Sequence, residues 1–296
     1  MISLRALVKR NCKLFFKDTG MFFTSLITPL ILLVLYVTFL AKVYADAFTG
    51  SIPPGFSLEQ DLIDATVGGQ LVSSLLAVCC ITVAFCSNLL MVQDKVTGAR
   101  KDLTMSPVRS SILSLSYFIA TFVATIIICL VAMAACLLYL YVTGWYLTLA
   151  DVLLLTLDVI LLVLFGTALS SLIIDPLSTN GQASAVGTIV SAGYGFICGA
   201  YMPISSFGSG LQKVISLLPG TYGTSLLRNH ALRSVFAEME SLGIPQEILH
   251  GLRDGIDCNL YFFDTQVGIP AMYAILIGAT VAVTLGFIVL CALRRK

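Results

Sequence analysis

The sequence predicts an all-α polytopic membrane protein. It has six transmembrane helices, an N-terminal cytoplasmic amphipathic interface helix, and a short external helical hairpin between the fifth and sixth spans. Three observations predict it. Of 296 residues, 58% are hydrophobic and 11% charged, with a mean hydropathy of +0.97, where a soluble domain carries roughly 25% charged residues. Six apolar runs approach or exceed the roughly 20 residues that a helix needs to cross about 30 Å of hydrocarbon. Lysine and arginine are unevenly divided between the connecting segments, as the positive-inside tendency requires.

The spans are expected at 21–41, 68–92, 112–142, 149–174, 183–201 and 268–293. The third is longer than one crossing needs, so it should tilt or protrude. The first follows a basic stretch and lacks a convincing cleavage site, so it reads as a retained span rather than a removed signal. Residues 2–17 alternate Arg5, Lys9, Arg10, Lys13 and Lys17 with Leu4, Leu7, Val8, Cys12, Phe15 and Phe16, the pattern of a helix lying in the membrane interface. A loop at 93–107 holds Lys95, Arg100 and Lys101, and Arg109 follows it. The N-terminal segment, this loop with Arg109, and Arg294-Arg295-Lys296 together hold 12 of the 17 basic residues, which puts both termini in the cytoplasm. Pro53-Pro54-Gly55 marks an external turn, and Thr143-Gly144-Trp145-Tyr146 a tighter one with an aromatic anchor. Between spans five and six, 202–267 is the largest segment expected outside the membrane. It contains a short apolar stretch at 211–218, the break Pro219-Gly220, and a second short helix from 222 to about 240 on the external rim.

Several function classes are excluded. A net charge of +1 gives no basic field for nucleic acid. Seven of nine cysteines sit in apolar runs, no CxxC occurs and only two histidines are present, so no zinc ligand set is visible. Cys258 is the one external cysteine expected. No GxxxxGK[ST] loop is present, so any ATP would bind on another chain. An intramembrane enzyme would need a catalytic set inside the spans, yet Asp158 stands there without a second acid and both histidines fall outside.

The polar loop Gln93-Asp94-Lys95-Val96-Thr97-Gly98-Ala99-Arg100-Lys101-Asp102-Leu103-Thr104-Met105-Ser106-Pro107 is the most informative stretch. Together with the basic helix before span one, Gly199-Ala200-Tyr201-Met202-Pro203 closing span five and Leu217-Leu218-Pro219-Gly220-Thr221-Tyr222, it gives a recognisable order over nearly the whole chain. The chain resembles the membrane subunit of a type 2 ABC exporter, the ABC-2 permease family that includes bacterial drug, polysaccharide and natural-product exporters. That resemblance implies a non-catalytic permease in the bacterial plasma membrane, working with two copies of a cytoplasmic ATPase subunit that binds ATP and Mg. A second copy of this chain or a related permease would complete it. The interface helix, with Arg5, Lys9, Lys13 and Phe16, would lie against the ATPase. The loop, with Asp94, Lys95, Gly98, Arg100, Lys101, Asp102, Leu103 and Pro107, would be the coupling helix, and about 203–218 would close the exit side.

Candidates for the substrate pathway are Asp158, Phe22, Phe23 and Asn88. A carboxylate at membrane depth is costly, so Asp158 either lines a path or bonds to neighbouring helices. Span five is rich in small residues, among them Gly187, Ser191 and Gly195, which permit close helix packing within or between subunits. Strongly apolar spans favour a lipophilic drug, natural product or peptide over a polysaccharide or lipid-linked glycan. An ion-driven secondary transporter is the more distant alternative.

Overall fold

The computed structural model describes residues 4–50, 59–105, 108–263 and 265–293. The Pro53-Pro54-Gly55 turn, Ser106, Pro107, Asp264, the start of the interface helix at Ile2 and the terminal Arg294-Arg295-Lys296 cluster lie outside the described residues. The described chain forms a helical bundle with one small β-hairpin.

Helix α1 (Leu4–Lys17) buries Leu7, Asn11 and Phe15, one stripe at i, i+4 and i+8. That stripe packs mainly on α6 (Ser110–Thr143). Asp18 then turns the chain, its carboxylate accepting the Met21 amide at 3.0 Å to cap α2 (Thr19–Leu35). A π-helical turn over Tyr36–Leu40 leads into α3 (Ala41–Gly50).

The centre is α4 (Gln60–Val96), buried almost continuously from Leu62 to Asp94. Around it stand α2, α6, α7 (Leu149–Ile174), α8 (Asn180–Ile197) and α10 (Pro219–Ser241), while α12 (Ile269–Leu293) packs on α7 and α10. A capping box starts α7, with Thr148 and Asp151 each satisfying the other's backbone amide. At one end of the bundle Phe15, Leu113, Tyr117 and Val92 belong to the main core. At the other, Tyr36, Phe48, Leu62, Phe236, Leu249 and Cys258 form a second core under α11 (Gln246–Gly255).

Two features differ from the sequence expectation. Among the described residues five helices are long and apolar enough to cross a membrane, not six. The shortfall is α8, whose 18 residues span only about 27 Å at 1.5 Å per residue and include several glycines and serines that lower its hydropathy. The second difference is α10. Expected as a short rim helix, it runs inside the bundle against α4, α7 and α12, burying Leu226, Leu227, Leu232, Val235 and Phe236. Arg228 and His230 depress its hydropathy and hid it. Both are buried and paired, so the cost of burying them is offset locally. Of the two short helices expected there, α9 (Ser209–Ser216) is indeed short, ending just before Pro219 opens α10. Beyond α11, β1 (Leu260–Phe262) pairs antiparallel with β2 (Thr265–Val267).

Candidate functional site

The end of the bundle that carries α1 and the short helix α5 (Ala99–Met105) gathers most of the coupling residues expected from sequence. Its anchor is Asp94, at the last turn of α4 and only 5% exposed. Arg10 of α1 grips it with both guanidinium nitrogens, Nη1 at 2.6 Å from Oδ2 and Nη2 at 3.0 Å from Oδ1. The Tyr117 hydroxyl of α6 donates to the same Oδ2 at 2.6 Å. Charge-assisted, bidentate contacts of this kind fix orientation as well as contributing energy. The hydrogen bond to Asp94 raises the Arg10 pKa above its ordinary value. Asn11, donating to Ser116 Oγ at 3.3 Å, adds a second polar tie between α1 and α6.

The next residue, Lys95, turns the other way. Its ammonium donates to the Asp175 carbonyl and, at 2.8 Å, to that of Leu177, satisfying carbonyls left open where α7 ends. The Arg100 guanidinium lies 3.7 Å from the buried Asp175 carboxylate. Gly98 sits between these anchors at φ +84°, a left-handed conformation that glycine adopts without Cβ strain. It lets the chain reverse from α4 into α5. Arg100 thus ties α5 to α7, and Lys95 ties the end of α4 to α7, while Leu103 is partly buried against the core.

The outer side of α5 is open. Lys101, Asp102, Thr104 and Met105 are exposed, Met105 to 84%. On α1 the residues singled out from sequence, Arg5, Lys9, Lys13 and Phe16, are likewise exposed and lie away from the stripe that packs on α6. The structure therefore separates two roles within one cluster. Arg10, Asn11, Asp94, Tyr117 and Asp175 bind the elements together, and the exposed charges project from them. In the sequence Arg10 stands among the other basic residues of α1; its place three residues after Leu7, on the edge of the buried stripe, is the signal that sets it apart. Nothing local in the sequence marks Tyr117 or Asp175 as partners, because both bonds close across more than 20 residues.

The four pathway candidates are dispersed. Asp158 is buried on α7 and held by His230 Nδ1 of α10 and the Tyr273 hydroxyl of α12, each at 2.5 Å. Asn88 donates to Ser170 and Ser171 at 3.2 and 3.0 Å, a seam between α4 and α7 about 18 Å along α7 from Asp158. Phe22 and Phe23 stand at the start of α2 in an edge-to-face pair 5.6 Å apart, with Phe23 exposed. None of the four lines the groove of about 670 Å³ between α2 and α8, whose walls include Ile31, Phe39, Leu89, Thr188, Ser191 and Phe196.

At the opposite end, Arg228 of α10 pairs with Asp257 at 3.1 Å and reaches Ser74 of α4 at 3.2 Å and the Gly199 carbonyl. Both Asp257 oxygens accept the Ile204 amide, at 2.9 and 3.0 Å. Gly199, at φ +68°, has no room for a side chain: a Cβ would lie 2.7 Å from Asp257 Oδ2. This network ties the chain after α8 to α4 and α10. Among the described residues no group of three or more His, Cys, Asp or Glu side chains can hold a metal.

A family model described as ABC-2 type transporter matches residues 2–231, from α1 into α10. No curated protein matches the chain.

Proposed function

We propose a function from the premise that this chain belongs to the ABC-2 type transporter family: it is the membrane subunit of an ATP-driven exporter, with α1 and α5 as its docking surface for the ATPase. Members of the family are non-catalytic transport subunits, and membership implies pairing with an ATPase subunit. The observation that carries the finer reading is the Arg10–Asp94–Tyr117 cluster with its neighbour Arg100–Asp175. A force applied to the exposed side of α5 reaches the ends of α4 and α7 through charged contacts rather than a loose loop. Since α4 is the axis of the bundle, such a force moves the elements that would bound a transport path.

In this reading α8 makes the sixth crossing despite its short length, both termini are cytoplasmic, and the protein is a multi-pass subunit of a bacterial plasma membrane. One bundle has its core filled by α4, so a path for a large substrate needs a second copy or a related permease. The open α2–α8 groove is the face where the two would meet and where an apolar substrate would travel. Its largely aliphatic walls favour a lipophilic drug, natural product or peptide over a polysaccharide, whose hydroxyls need polar partners. Asp158, held by His230 and Tyr273, acts in this reading by positioning α7, α10 and α12.

The test is ATP hydrolysis by the subunit co-purified with its ATPase in lipid nanodiscs, with Arg100→Ala and Asp102→Ala compared. Lipophilic substrates should stimulate the parent complex, and the two changes should reduce stimulation without dissociating the bundle. A preparation that transports without any ATPase chain would refute the assignment and favour an ion gradient.

A further inference from the structure

At the end of the bundle opposite α5, a cavity of about 340 Å³ lies between α3, the outer turns of α4 and the end of α11. Its position on α4, at Gln70, is about 36 Å from Asp94 at 1.5 Å per residue, and its lining shares no residue with the α2–α8 groove. Val43 and Phe48 of α3, Val67 of α4 and Leu252 and Ile256 of the α11 end give it mostly apolar walls. Among the polar side chains in its lining, Gln70 and Tyr44 stand out. The Gln70 carboxamide is 2% exposed, and neither its nitrogen nor its oxygen has a hydrogen-bond partner among the described residues. The Tyr44 hydroxyl interacts with that carboxamide, yet it too lacks a well-formed hydrogen bond among the described residues.

Buried polar groups without partners are rare in native structures, and such a group points to water, an ion or a ligand. A pocket in the 300–1,000 Å³ range with few convergent polar groups on apolar walls has the form of a small-molecule site. Charge is balanced nearby, since Arg228 and Asp257 pair with each other, so nothing here selects an ion. The carboxamide offers a donor and an acceptor side by side, and the tyrosine adds a third contact.

We propose that this cavity is a binding site for an uncharged lipophilic molecule bearing a primary amide or lactam. Such a group donates to Gln70 Oε1 and accepts from Gln70 Nε2 in one planar pair, while its apolar part fills the space against Phe48, Val67 and Leu252. The site would sense or retain a ligand on the face away from α5. Its occupancy does not depend on the transport assignment.

The experiment uses the full chain in nanodiscs and a diazirine-bearing decanamide as photolabel, with the matching decanoic acid and methyl ester as controls. Peptide mapping should find the amide on α3, α4 or α11, competed by unlabelled decanamide, with the acid and ester labelling these segments at least tenfold less. Gln70→Leu should lower amide labelling there by about tenfold, and Tyr44→Phe by about threefold, while any labelling of α6 and α12 stays unchanged. Gln70→Leu should also raise the thermal midpoint of the ligand-free protein, because it removes an unsatisfied buried amide. If Gln70→Leu does not fold, Tyr44→Phe and the three-ligand comparison decide. Equal labelling by amide, acid and ester, or labelling that excess decanamide does not compete, means that the cavity holds only water or lipid and overturns the proposal.

Discussion

Replacing Arg10 by alanine tests how firmly α1 is fixed to the bundle. The change removes two charge-assisted bonds, at 2.6 and 3.0 Å, from a carboxylate whose residue is 5% exposed. Stripping one partner from a fully buried ion pair costs about 3–5 kcal/mol. Here the Arg10 side chain is already 30% exposed, and the Tyr117 bond to Asp94 persists, so about 2 kcal/mol is the expected loss. At 1.4 kcal/mol per factor of ten, α1 should open about 30-fold more often. Cys12 reports this directly. It is half-buried on α1, its thiol lies 3.7 Å from the Ala120 carbonyl of α6, and burial raises its pKa. Alkylation followed by peptide mass spectrometry should show Cys12 reacting about 30-fold faster in Arg10→Ala. Lys9→Ala, one residue away and exposed, should leave the rate unchanged. A Cys12 rate in Arg10→Ala within threefold of the parent would refute the pair as the fastener of α1.

Other outcomes follow from the same contacts. Breaking the buried Arg228–Asp257 pair with Arg228→Ala should destabilise the protein by about 3–5 kcal/mol, read as a large fall in thermal midpoint; the double change with Asp257→Ala should cost less than the two single changes summed. Asn88→Ala loses two interhelical hydrogen bonds to serines, each worth about 0.6 kcal/mol in membrane helices, so its midpoint should fall only slightly. Gly98→Ala meets no neighbouring atom, yet forces alanine to φ +84°; it should cost about 1–2 kcal/mol and reduce substrate-stimulated ATP hydrolysis while the bundle remains folded. Cys258 is buried, and burial pushes its thiol from 9.0 up to about 12. It should resist maleimide at neutral pH, and its contribution to stability, complete below the ordinary thiol pKa, should be lost as pH rises through the folded value.

Much of the fold was legible because the apolar runs are long. The segment 149–174 predicted from sequence coincides with α7, and 112–142 lies within α6 by two residues at its start and one at its end. Hydropathy failed where a helix carries charge that the fold neutralises. In α10, Arg228 and His230 find Asp257 and Asp158, residues 29 and 72 positions away, and no local pattern announces such pairings. In α8, glycines, serines and the polar Asn180 and Gln182 lower the hydropathy, although the helix packs on α4. At the end that carries α5, composition and loop position singled out Asp94, Lys95 and Arg100. The division between inward fasteners and outward charges was not legible, because it depends on which side of α1 meets α6. The cavity at Gln70 was equally hidden, since it is assembled from α3, α4 and α11.

The docking of an ATPase on α5 is tested most directly by a photo-crosslinking residue at position 105, where Met105 is 84% exposed, in native membranes. Docking predicts one main adduct, identified by mass spectrometry as an ABC ATPase and lost when Lys101 and Asp102 are both replaced by alanine. The same residue at Tyr261, on the β-hairpin at the other end, should give no ATPase adduct. An ATPase adduct from position 261 but not 105, or none from either in membranes that hydrolyse ATP in response to substrate, would contradict it.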